Sequence, residues 1–86
     1  MEPIEFRQAV GARVRACREA QRLSQAKLAQ MIGGASDGAY ISRIEKGKVA
    51  VGVDGLYRIA TALDVGVADL VDLDKDIDSI KPGSRR

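Results

Sequence analysis

Three aromatic side chains, Phe6, Tyr40 and Tyr57, are all that 86 residues offer for filling an interior. The core must therefore be built from Val, Ile, Leu and Ala. That supply suits close-packed helices rather than an all-β sandwich, which would draw on aromatic and Thr-rich strands. At this length a second core would leave each half too small to bury its apolar surface, so one compact domain is expected. The chain has no His and a single Cys. This removes His-based acid/base chemistry, Ser-His and Cys-His nucleophile pairs and His/Cys zinc sites, so neither an enzyme nor a cofactor is expected. Cys17 has no partner for an internal disulfide, and no apolar run nears the roughly 18 residues of a membrane span. The opening MEPIEFRQAV lacks the basic-then-apolar order of a secretion signal. These features predict a soluble, cytoplasmic protein with no membrane partner.

The net charge of +2 conceals an asymmetry. Residues 1–50 carry nine Lys/Arg against five acids, whereas residues 51–80 carry Arg58 and Lys75 against seven Asp. A basic first half joined to an acidic second half suggests that a polyanion meets the first and not the second; ordinary solvated helix faces are the alternative.

Five helical segments follow from the spacing of apolar residues. Phe6, Val10, Val14 and Cys17 define one face of the first. Ser24 stands as N-cap of a second, over about 24–32, with Leu28, Ala29 and Ile32 on a face and Gly33-Gly34 as its stop. A third follows the turn Gly33–Gly38, with Tyr40, Ile41 and Ile44 apolar, Ser36 or Asp37 as cap and Gly47 as its end. The fourth spans about Val53–Leu63, with Leu56, Ile59, Ala60 and Leu63 inward, and the fifth about Val67–Leu73. The second helix, turn and third helix have the order and lengths of a helix-turn-helix, although small bundles without DNA activity use similar segments.

The runs Gln25-Ala26-Lys27-Leu28-Ala29, Tyr40-Ile41-Ser42-Arg43-Ile44-Glu45-Lys46-Gly47-Lys48 and Leu56-Tyr57-Arg58-Ile59-Ala60-Thr61-Ala62-Leu63-Asp64-Val65 together resemble the lambda-repressor-like (Cro/XRE) helix-turn-helix family over roughly residues 8–71. The resemblance implies an all-α, five-helix domain over residues 1–73, with a C-terminal extension over 74–86. It also implies that Gln25 makes a backbone contact at the positive end of the second helix, where free N–H groups hold phosphate. Lys27, with Ala26, stands where relatives commonly have acids, which makes this helix start less repulsive to phosphate. On the third helix Ser42, Arg43 and Lys46 face outward, with Lys48 just beyond. The planar fork of Arg43 fits guanine O6 and N7, whereas Lys46 and Lys48 suit phosphates. The alternative for Arg43 is a surface ion pair. Ten residues, Gln30–Ala39, separate Leu28-Ala29 from Tyr40, about two more than is common, so the turn is longer. Ser36, Asp37, Gly38 and Ala39 lead into the groove where relatives carry longer side chains. Asp37 can cap the third helix, accept from a cytosine amino group or repel the backbone. Similar proteins also pair the equivalents of Arg18 and Glu45, a scaffold contact rather than a catalytic one.

The alternating carboxylates from Asp72 to Asp78 do not form an EF-hand. A loop starting at Asp72 would need Gly where Ile77 stands and Glu where Gly83 stands, and no metal is expected. Leu70, Val71, Leu73, Ile77 and Ile80 form an apolar surplus that suggests a two-fold dimer surface, with a segment folded back on its own domain as the alternative. Pro82–Arg86 reads as a disordered basic tail. The reading as a whole is a sequence-specific, nucleoid-associated transcriptional regulator, a repressor acting as a homodimer on double-stranded DNA with a pseudo-palindromic operator. An antitoxin or a protein-binding adaptor that keeps the fold is the alternative. A protein partner such as a toxin or RNA polymerase stays unidentified.

Overall fold

The computed structural model describes residues 1–83; Ser84, Arg85 and Arg86, the end of the expected basic tail, lie outside the described residues. Among the described residues the elements are α1 (Pro3–Ala20), α2 (Gln25–Ile32), α3 (Gly38–Glu45), α4 (Val53–Leu63), α5 (Val67–Val71) and a 3-10 turn at Ile77–Ser79, with no strand. The all-helical, five-helix expectation holds. None of the described helices is long and apolar enough to cross a membrane.

Local chemistry explains most of the boundaries. Pro3 occupies the first helical position of α1, where its missing N–H is not needed, and the Glu5 carboxylate accepts from the Glu2 N–H at 3.0 Å. The helix therefore starts ahead of Phe6. Ser24 caps α2 by accepting from the Lys27 N–H at 2.9 Å, and Asp37 caps α3 by accepting from the Tyr40 N–H at 2.8 Å. Gly47 ends α3 at φ 71°, and a Cβ there would lie 2.6 Å from Gln8, so neither the dihedral nor the space admits a side chain.

The helices pack around Val14, Cys17, Leu28, Ala29, Ile41, Ile44, Ile59, Ala60, Leu63, Val65 and Leu70. Leu28, Ile41, Leu63 and Leu70 are fully buried, each contributing roughly 1.5–3 kcal/mol of transfer free energy. Phe6 departs from the expected first-helix face: it stays 40% exposed, at the rim of a groove with Val49 and Val51, whereas Val10, Val14 and Cys17 are buried.

Two expectations about the C-terminal part need correction. The fifth helix ends at Val71 rather than Leu73, because Asp72 turns to an extended conformation and its carboxylate accepts from the Asp74 N–H at 3.1 Å, an alternative to continuing the helix. The set read as a dimer surface is largely consumed within the protomer. Leu70 is fully buried in the protomer's own core, Val71 and Ile80 pack against that core, and Leu73 and Ile77 are half-buried. The fold-back alternative describes this segment, so packing does not stop at residue 73. Buried Arg13 donates through Nε to the Asp69 carbonyl and through Nη2 to the Lys75 carbonyl, both at 2.9 Å. The ammonium of Lys75 pairs with the buried Asp69 carboxylate, which also accepts from the Gly66 N–H at 2.8 Å. Beyond the 3-10 turn, the Gly83 N–H reaches the Asp64 carbonyl at 2.6 Å. The acidic segment consequently lies along Ala16, Cys17 and Ala20 of α1, through Ile77, Asp78 and Ile80.

Candidate nucleic-acid interface

The seat of α3 is set before its outward side chains matter. Ile41 and Ile44 anchor the inner face in the core, and α1 crosses the far end so closely that a Cβ at Gly11 would lie 2.3 Å from the Ile44 carbonyl oxygen and 2.7 Å from that of Glu45. Such a separation is open to glycine alone. The Glu45 carboxylate, 3% exposed, accepts from Arg18 Nε at 2.6 Å and Nη2 at 3.1 Å, and from Gln25 Nε2 at 3.0 Å. Arg18 also donates through Nη1 to the Leu23 carbonyl at 2.7 Å. The hydrogen bond that Arg18 donates to Glu45 raises its guanidinium above the ordinary pKa; burial opposes this, while the charges of Glu45 and Glu19 add to it. One carboxylate thus ties together α1, the start of α2 and the end of α3. The resemblance implied the Arg18–Glu45 pair; the third member, Gln25, joins them as a donor.

Gln25 is half-buried and donates an amide N–H to Glu45, while Ser24 accepts from the Lys27 N–H, so the main-chain N–H groups of Gln25 and Ala26 are left without an acceptor among the described residues. Lys27 is exposed beside them. Across the turn, Ser36 is half-buried, Ala39 is exposed, and Asp37 takes the capping role among the three weighed for it. On α3, Ser42 is half-buried and Arg43 and Lys46 are exposed; Lys48, exposed as well, follows Gly47, its N–H bonded to the Arg43 carbonyl at 2.9 Å. Among the described residues, Lys27, Arg43, Lys46 and Lys48 have no carboxylate partner, so the ion-pair alternative for Arg43 does not apply there. Nor does the acidic C-terminal segment cover them, since it lies on α1.

This arrangement brings together a helix anchored on its inner face, a row of uncommitted cations and a second helix end with two unbonded N–H groups, a combination suited to a phosphate backbone and the base edges between its strands. Two residues that hold it escaped the sequence reading. Arg13 lies among charged neighbours that look solvated, and only its distant carbonyl acceptors explain its burial. Gly11 did carry a signal: a glycine inside a helix costs about 1 kcal/mol relative to Ala, which flags a close backbone approach.

A helix-turn-helix family model matches residues 14–70, from the middle of α1 to α5. No curated protein and no solved structure matches the chain. The match covers well over half of the sequence, and on that footing the chain belongs to the lambda-repressor-like, Cro/C1-type helix-turn-helix family of DNA-binding regulators.

Proposed function

We propose that this regulator is a repressor that reads a pseudo-palindromic operator as a homodimer, with α3 of each protomer in successive major grooves. The observation that carries the reading is the outer face of α3 and the turn that ends it, where Arg43, Lys46 and Lys48 stand exposed and uncommitted beside a helix whose inner face and far end are fixed. In it Arg43 reads guanine, Ser42 supplements that contact, and Lys46, Lys48, Lys27 and the start of α2 at Gln25 hold phosphates. Ser36, Asp37 and Ala39 border the groove without long side chains, so base selection concentrates on Arg43 and on DNA shape. Occlusion of a promoter is the simplest route from such binding to regulation. Exposed apolar side chains at Val53 and Tyr57, one turn apart on α4, support the presence of unpartnered surface for a second protomer.

Selection of bound fragments from a random duplex pool tests the reading. The expected result is two inverted half-sites separated by about one helical turn, roughly 10–10.5 base pairs centre to centre. A single unrepeated half-site removes the homodimer. Absence of enrichment, together with no duplex binding at low salt, removes sequence-specific recognition.

A further inference from the structure

We propose that the cavity between the α2–α3 turn and Arg58 is a binding site for a phosphate group, distinct from the α3 face. Arg58 and Lys75 are the cations of residues 51–80, and Lys75 is committed to Asp69. Arg58 is exposed on α4 and, among the described residues, has neither a carboxylate nor a carbonyl partner. With Ile32, Gly33, Gly34, Ala35 and Ser36 it lines an open cavity of about 380 Å³. That is many times the roughly 30 Å³ share of a water molecule.

Opposite Arg58 the lining includes two glycines and otherwise small side chains apart from Ile32. Gly33 and Gly34 have φ of 82° and 66°, and a Cβ on either would meet nothing within 4 Å. The Gly33 N–H is spent on the Ala29 carbonyl at 3.0 Å, and that of Ser36 makes a long 3.4 Å bond to Gly33. The N–H groups of Gly34 and Ala35 and the Ser36 hydroxyl have no acceptor among the described residues. The residues that carry these two free amides, the hydroxyl and the guanidinium thus line one cavity, and no Asp or Glu is among its lining residues. Donors without an acid select an anion with several acceptor oxygens, and arginine with main-chain amides is the pairing that phosphate geometry favours. Eight residues make α2 about 12 Å long. That length is close to the ~12 Å width of the major groove, so a phosphate at this turn and another at the Gln25 end can belong to the two sides of one groove.

The group can come from the DNA backbone or from a small phosphorylated molecule, and the first source rests on the DNA-binding reading. Two measurements on the full chain separate them, using wild type, Arg58→Gln and Arg58→Lys. Inorganic phosphate, titrated against chloride at matched ionic strength, is expected to shift the amide resonances of Gly34, Ala35 and Ser36 saturably in wild type and in Arg58→Lys, and not in Arg58→Gln. Duplex affinity is then measured against salt: a backbone phosphate lowers the log–log slope by about 0.9 in Arg58→Gln. Saturable shifts with an unchanged slope assign the site to a small phosphorylated molecule. Absence of saturable shifts in the turn overturns the proposal, whatever the slope does. If wild type fails to bind any duplex, the DNA-binding reading falls, while the phosphate titration still decides the site.

Discussion

Replacing Glu45 by Ala removes one carboxylate and strands its partners. Arg18 loses two charge-assisted bonds and Gln25 loses one, while the Arg18 side chain, 10% exposed, keeps the Leu23 carbonyl as its acceptor. Breaking a buried pair from one side costs about 3–5 kcal/mol, because the remaining charge stays desolvated and uncompensated. The surviving bond to Leu23 and the residual access of Arg18 to water set the value near the lower end, about 3 kcal/mol. For a domain of this size each kcal/mol shifts the melting temperature by about 4–8 °C, so a fall of about 12–24 °C is expected. Thermal unfolding followed by circular dichroism measures that fall, and urea unfolding measures the free energy, with a lower midpoint and an unchanged slope. The double variant Arg18→Met, Glu45→Leu separates the cause, since an apolar pair of similar volume removes the stranded charge and is expected to recover most of the loss. A single variant within about 1 kcal/mol of wild type would refute the argument. So would a double variant no more stable than the single, which would locate the loss in packing rather than charge.

Gly11→Ala should destabilise by about 1–2 kcal/mol: the gain in helix propensity is about 1 kcal/mol, but a Cβ 2.3 Å from the Ile44 carbonyl forces two backbones apart. A melting temperature equal to or above that of wild type contradicts this. Burial raises the Cys17 thiol above its ordinary pKa, with Asp69 adding and Arg13 opposing. The unfolded chain therefore releases that proton first, so this stability is complete below the ordinary thiol pKa and declines as pH rises through it. Between neutral and alkaline pH the wild type should lose more stability than Cys17→Val, and parallel curves would remove the effect. On selected operator DNA, Arg43→Ala should reduce discrimination against a mismatched base by about 1–3 kcal/mol. Lys48→Ala should instead weaken all duplexes alike and lower the salt slope by about 0.9; identical effects of the two would undo the division between base reading and phosphate contact.

What could be read along the chain is what neighbouring residues decide. The faces of α2, α3 and α4, the caps Ser24 and Asp37 and the stop at Gly47 depend on spacings of three or four residues and reappear in the structure, except that Leu56, expected inward on α4, is half-buried and lines the groove beside Phe6. The outward cations of α3 were legible for the same reason. Long-range partners were not. The burial of Arg13 depends on carbonyls 56 and 62 residues away, and the inward position of Leu70 on the packing of α5 against α1 and α4. An apolar surplus at a terminus has the same local pattern whether it meets a second protomer or its own domain, and only the path of the chain separates the two. Arg58 similarly counted as one cation among acids until the fold carried the turn beside it.

Because α3 is seated through its inward isoleucines and through main-chain atoms against Gly11, its outer side chains carry almost none of the folding free energy. Exchanges at Arg43 or Lys46 fall in the class of surface substitutions that usually alter stability by less than about 0.5 kcal/mol. The fold is therefore a socket with a replaceable key: under the proposed reading, descendants of this chain acquire a new target by altering a few exposed side chains, with no repair needed inside.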